Sequence, residues 1–169
     1  MAFDREFLRY YPALHSRSPE GVRVFRDHVR EATELFKSGF HCSQSVFAVF
    51  SEEFGVSRDL ALKIAAPFGG GLGGLGSTCG ALTGALMIIG LKYGNTSPTD
   101  IDAKTRTRDK TRELIEMFRN AHGSCLCNDL IGFDRSGMSP VEIAAMLPQI
   151  HATCSKYVET IVSFLEEEL

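Results

Sequence analysis

The chain has 169 residues, of which 44% are hydrophobic and 23% are charged, a composition typical of a globular protein with a real core. Its formal net charge of −3 gives no electrostatic basis for binding nucleic acid or an anionic membrane. The longest apolar stretch, residues 81–91, is too short to cross a bilayer, and the N-terminus lacks the apolar core of a secretory signal. We therefore expect a single domain in the cytoplasm, where reduced cysteines serve metal binding or catalysis more often than disulfides.

Hydrophobic residues recur at helical spacing along most of the chain, and glycines or prolines separate the segments. In chain order, the predicted helices are residues 3–11, 19–38, 42–54, 59–66, 78–93, 102–121, a short turn after Ser124, a short helix from Pro140, and 149–167. The segment at 78–93 is apolar on nearly every face, which is typical of a helix at the centre of a bundle. Valine and isoleucine alternate too poorly to form a sheet. The sequence predicts an all-α bundle around this central helix.

The most unusual segment is the glycine run at residues 69–84, which reads GGGLGGLGSTCGALTG. It contains G-x-G-x-x-G twice, but a predicted helix precedes it and no Gly-Lys-Ser/Thr follows, so nucleotide binding is the weaker interpretation. Two interpretations stay open: the glycines allow a tight helix crossing, or their backbone N–H groups surround a cofactor beside Cys79. In the second interpretation, the cofactor-binding residues are Gly70, Gly71, Gly73, Gly74, Gly76 and Gly80.

The five cysteines are the residues best suited to carry chemistry. Cys42, Cys79 and Cys127 fall near predicted helix starts, where the helix dipole favours a thiolate. Cys154 lies inside the last predicted helix, one turn after His151 and on the same face. The chain has no Cys-x-x-Cys, so a thioredoxin motif and a zinc ribbon both lack their signature. Five buried, inert cysteines remain an alternative, because free cysteine is among the most buried residue types.

The order of these residues resembles a known family. The motif Cys-Gly-Ala-x-x-Gly is intact at residues 79–84, and the pattern resembles the C_GCAxxG_C_C family of redox-active proteins over about residues 32–168, with residues 1–18 outside it. The resemblance implies an all-helical, redox-active protein. The family cysteines fall at Cys42, Cys79, Cys127 and Cys154. Cys125 would replace Cys127 if the alignment shifted by two residues. A similar region occurs in the split-Soret cytochromes, where an iron–sulfur cluster is associated with it.

The leading hypothesis is a four-cysteine site that binds an iron–sulfur cluster or a single metal ion, for one-electron transfer or redox sensing. Cys125 or His151 is a further candidate ligand. In a second hypothesis the protein is a thiol–disulfide oxidoreductase, with Cys79 as the attacking thiolate and another family cysteine as its resolving partner. In a third, it is a non-redox interaction module with structural cysteines. A redox partner protein is expected, a homodimer is an open alternative, and neither nucleic acid nor membrane insertion is expected.

Overall fold

The computed structural model describes residues 27–169, so the predicted helix at 3–11 and the start of the one at 19–38 lie outside the described residues. Within this range the α-helices are α1 His28–Lys37, α2 Cys42–Ser51, α3 Arg58–Ala65, α4 Gly80–Tyr93, α5 Ile101–His122, α6 Cys127–Ile131 and α7 Pro140–Glu168. Short 3-10 turns, Glu52–Phe54 and Ala66–Phe68, follow α2 and α3. The β-pairing among the described residues is a single antiparallel bridge between Thr78 and Leu126. The predicted all-α fold is confirmed.

Helix α4 lies at the centre of the bundle and packs against α2, α5 and α7. Its residues Leu82, Ala85 and Ile88 are fully buried, as its uniformly apolar sequence predicts. Gly84 allows α2 to approach closely, since a methyl group at this position would lie 2.7 Å from the carbonyl oxygen of Ser43. None of the helices in residues 27–169 is long and apolar enough to span a membrane.

Helix α1 begins at His28, so the prediction of a continuous helix from Pro19 is wrong. Asp27 has a non-helical backbone, with φ −88° and ψ 81°, and its side chain accepts a hydrogen bond from the N–H of Arg30 at 2.9 Å. An aspartate in this position caps a helix, because its carboxylate satisfies an N–H group that has no partner within the helix.

Helix α7 runs without a break from Pro140 to Glu168, whereas the sequence predicts two separate helices. Pro148 lies inside it and cannot donate a hydrogen bond to the carbonyl of Ala144. Both residues are exposed, so water can reach that carbonyl and the missing bond does not end the helix. The prediction of a break before residue 149 is therefore wrong.

His28, the first residue of α1, lies between carboxylates from two other segments. Its Nε2 is 2.8 Å from a carboxylate oxygen of Glu53, and its Nδ1 is 3.2 Å from one of Glu166 in α7. The imidazole stacks on Phe50 with ring centroids 4.3 Å apart. Burial by itself lowers the pKa of His28, but hydrogen bonding and attraction to the two carboxylates outweigh burial and raise the pKa.

We expect the contribution of His28 to stability to depend on pH. Because its pKa is raised on folding, the contribution is fully present below the unfolded pKa of about 6.5 and is lost as pH rises through the folded pKa. His28→Gln should therefore lower the free energy of unfolding more at about pH 6 than at about pH 9. Urea denaturation of both proteins at the two pH values measures the difference, and equal losses at both would contradict the prediction.

Candidate functional site

Two backbone hydrogen bonds hold the starts of α4 and α6 side by side. The N–H of Cys79 donates to the carbonyl of Cys125 at 2.8 Å, and the N–H of Cys127 donates to the carbonyl of Ser77 at 2.6 Å. Cys79 is the N-cap of α4, and Cys127 is the first residue of α6. Ser77 and Thr78, although residue types that commonly cap helices, do not cap α4, because both belong to the segment that pairs with the residues before α6.

The glycine run folds into a loop closed by its own hydrogen bonds. The N–H groups of Gly74 and Gly76 donate to carbonyl groups within the same loop, and the N–H of Gly73 donates to the carbonyl of Pro67 just before it. These glycines, with Gly70 and Gly71, have positive φ angles of 62° to 86°, which explains why glycine fills the loop. The N–H of Gly70 instead favours the thiolate form of Cys42 and so lowers the pKa of that cysteine. Gly70 is thus a glycine of the proposed cofactor surroundings whose N–H acts on a cysteine.

Two further glycines allow the cysteines to approach the backbone. A methyl group at Gly71 would lie 2.7 Å from Cβ of Cys127, and one at Gly80 would overlap the sulfur of Cys42. Added methyl groups at positions 73 and 74, by contrast, would face open space. The same glycine-rich segment therefore allows the close approach of α2 to α4 and surrounds the cysteines. Its positions 73 and 74 face open space.

A cavity of about 120 Å³ lies where α1, α2, α6 and α7 meet. Three of the family cysteines line it: Cys42, Cys127 and Cys154. The polar residues beside them are His41, His151 and Arg135, and the remaining wall is made by glycines and by apolar side chains of α1, α7 and the α1–α2 connection. The described residues that line the cavity include no carboxylate, so its fixed charge is positive.

The fourth family cysteine, Cys79, lies beside this group rather than on the cavity wall. Burial is the largest influence on Cys79 and raises its pKa well above the usual range, and charge on Cys42 or Cys127 would raise it further. The N–H groups of Ala81 and Leu82 favour the thiolate, as expected at a helix start, but burial outweighs them. Cys79 precedes Gly80, where a methyl group would overlap the sulfur of Cys42, and backbone hydrogen bonds pair the residues around Cys79 with those around Cys127.

The cysteines on the cavity wall are coupled in the same way. Burial raises the pKa of Cys154 to about 12, with charge on Cys42 and Cys127 acting in the same direction. Burial, followed by charge on Cys127, likewise raises the pKa of Cys42. All five cysteines are free thiols in the structure. Without a metal, the thiols of Cys42, Cys127 and Cys154 are therefore protonated at neutral pH, because the pKa of each is raised above its usual value.

The two further candidate ligands occupy different surroundings. The sulfur of Cys125 faces α5, 3.8 Å from the carbonyl oxygen of Ile115, and does not line the cavity. His151 does line it, and its ring packs edge-on against Phe36 with centroids 5.1 Å apart. Among residues 27–169, no group of three or more histidine, cysteine, aspartate or glutamate side chains is arranged to hold a single metal ion.

Two polar residues at this site, Asn128 and Arg135, are not among the residues predicted from the sequence. The side chain of Asn128 donates to Asp134 at 2.7 Å and accepts from the N–H of Arg135 at 3.2 Å, which fixes the loop that carries Arg135. Gly76 makes room for the Asn128 side chain. Asn128 directly follows a cysteine at a helix start, which is a signal that sequence analysis could have used, whereas Arg135 lies in a loop without periodicity.

No curated protein and no solved structure matches the chain. The family model described as "Putative redox-active protein (C_GCAxxG_C_C)" matches residues 40–168, a range that includes all five cysteines and every residue that lines the cavity except Phe36 and Gly39. The match covers well over half of the chain and agrees with the order of cysteines around the glycine run. The chain therefore belongs to the C_GCAxxG_C_C family of redox-active proteins.

Proposed function

We propose that Cys42, Cys79, Cys127 and Cys154 hold an iron–sulfur cluster, and that the protein transfers single electrons or senses redox state. The observation that carries the proposal is the convergence of four cysteines from four separate segments, three on one cavity wall and the fourth beside them. When bound, a cluster supplies a centre that accepts and releases one electron. The proposal retains the expectation of a reducing compartment such as the cytoplasm, where cysteines stay available as ligands.

Backbone N–H groups support the role of ligand for two of these cysteines. The N–H groups of Ser43 and Gly70 favour the thiolate form of Cys42, and those of Ala81 and Leu82 in the first turn of α4 favour the thiolate form of Cys79. N–H groups in such positions stabilise a thiolate that binds metal, and they help to set the potential of a cluster. The chain thus provides donors for anionic sulfur although burial keeps the metal-free thiols protonated.

The same burial argues against thiol–disulfide exchange as the main activity. The attacking species in that chemistry is the thiolate, and a raised pKa leaves little of it at neutral pH. Cys79, which the disulfide hypothesis makes the nucleophile, is only 5% exposed and has a pKa well above the usual range. A metal ligand, by contrast, loses its proton because the metal replaces it, so burial is no obstacle to that role.

The arrangement also favours a cluster over a single ion. Four thiolates around one zinc ion lie about 2.3 Å from a common point. The described residues offer no group of three or more side chains that meets such a requirement. An iron–sulfur cluster accepts sulfurs that are further apart, because different iron atoms bind different cysteines. The cavity and the four neighbouring cysteines, three of them buried and Cys42 half-buried, are therefore compatible with the cluster.

Iron and acid-labile sulfide analysis of anaerobically purified protein tests the proposal. We expect iron and sulfide in comparable amounts, together with a visible absorption that reductant bleaches. Fresh anaerobic protein that contains neither iron nor sulfide, or that contains zinc alone, would rule the cluster out. Thiol titration after mild oxidation distinguishes the cluster proposal from the disulfide hypothesis. The disulfide hypothesis predicts that protein without iron loses its free thiols in pairs.

A further inference from the structure

The side chain of Arg135 forms part of the cavity wall next to the cysteines. Its guanidinium lies against Gly70, where a methyl group would be only 2.7 Å from the guanidinium carbon. Burial is the largest influence on Cys127 and raises its pKa, and the charge and a hydrogen bond of Arg135 oppose that increase. The guanidinium therefore lies within electrostatic reach of the sulfur of Cys127 and beside Gly70, whose N–H favours the thiolate form of Cys42.

Arg135 has no anionic partner among the described residues. Its Nε is buried and makes no hydrogen bond, and none of the ion pairs in residues 27–169 includes it. The cavity wall that it joins carries no carboxylate either. Arg135 as a whole is half-buried, so its cation loses part of the solvation that water provides, and no neighbouring carboxylate replaces it. The guanidinium of Arg135 would therefore stabilise a negative charge inside the cavity.

We propose that Arg135 is the counter-ion of the cysteine site: it balances the negative charge of the thiolate-bound cluster and raises the cluster's midpoint potential. This inference rests on the proposed function. Reduction by one electron adds one negative charge to the site without a proton, so a nearby fixed cation favours the reduced state. Arg135 acts through the cluster's electrostatic environment and is a positioning residue, held in place by Asn128.

The first test compares Arg135→Gln with Arg135→Lys in the iron-loaded protein. Arg135→Gln should lower the midpoint potential of the cluster, and Arg135→Lys, which keeps the charge, should recover most of the difference. Lys156→Gln is the matched control, because the exposed Lys156 also acts on Cys154 by its charge. Water and salt screen this exposed charge, so the control should change the potential much less. An unchanged potential in Arg135→Gln protein that retains its iron would overturn the inference.

The second test compares thermal stability with and without iron, and it remains informative if the proteins hold no cluster. Arg135→Gln should lower Tm by about 2–4 °C in loaded protein, but in iron-free protein it should leave Tm unchanged or raise it, because it removes an unbalanced cation. An equal loss of Tm in both forms would mean a purely structural role. A rise in Tm with added phosphate in iron-free wild type, absent in Arg135→Gln, would assign the counter-charge to a free anion and overturn the inference.

Wild-type protein without iron would contradict the proposed function, whereas the iron-free comparison of Tm would still decide whether Arg135 is an unbalanced cation. Iron content therefore tests the proposed function, and the comparison of Tm tests the inference about Arg135. If Arg135→Gln does not fold, Arg135→Lys still tests the inference, since a charge-conserving change should preserve both the potential and the Tm of the loaded protein.

Discussion

Replacing Cys127 with serine is expected to remove most of the iron from anaerobically purified protein. Cys127 is 6% exposed, begins α6 and lines the cavity together with two other family cysteines. Changes to groups that merely support a metal ligand lower metal affinity by about 10–100-fold, so loss of the ligand itself should cost at least as much. Iron and sulfide per protein chain, measured beside wild type from the same preparation, give the result.

Cys125→Ser provides the matched control, because it makes the same chemical change two residues away. The sulfur of Cys125 faces α5 instead of the cavity, so this variant should keep its iron. Circular dichroism of both variants in the iron-free state verifies that each one folds. Equal iron contents in the two variants, or loss of iron from Cys125→Ser alone, would show that Cys127 is not a ligand.

Gly84→Ala is expected to destabilise the fold by about 1–3 kcal/mol, the usual cost of overpacking a core. The added methyl group would lie 2.7 Å from the carbonyl oxygen of Ser43 and 3.0 Å from Cβ of Val46. The nearer of these atoms belongs to the backbone of α2, so α2 and α4 would have to separate. Denaturation by urea, followed by circular dichroism, measures the loss of unfolding free energy.

Gly90→Ala on the same helix should have the opposite effect. Nothing described lies within 4 Å of a methyl group at this exposed position. Alanine should therefore stabilise the helix by about 0.5–1 kcal/mol, because the unfolded chain loses conformational freedom. A similar loss of stability in both variants would mean that the contact between α2 and α4 does not determine the effect of Gly84→Ala.

The helices could be predicted where regular apolar spacing coincides with a capping residue. The sequence predicts residues 102–121 as helix, and α5 spans Ile101–His122, begun by the Asp100 side chain on the N–H of Ala103 and ended by Gly123 at φ 83°. Both signals are local, so they can be seen in the sequence. At α7 the local signal was misleading, because the cost of Pro148 depends on whether water reaches a carbonyl one turn earlier.

The surroundings of the cysteines could be predicted only in part. The spacing along the chain placed Cys42 and Cys127 at helix starts, and both are the first residues of helices. Arg135 lies against Gly70 because two loops that are 65 residues apart in sequence pack together. No local sequence pattern predicts such a contact. The ligand role of the four family cysteines stays a prediction, which metal analysis tests.

The proline inside α7 gives its two ends different local stabilities. The part from Pro140 to Pro148 is mostly exposed and lacks one backbone hydrogen bond, whereas the part that carries Cys154 is packed into the core. Segments with few buried contacts open at lower free-energy cost than the whole fold. Ile143 and Leu147, which cover the cavity, belong to the less stable part. Fraying of this end would therefore open the cavity to small molecules and ions while the bundle stays folded.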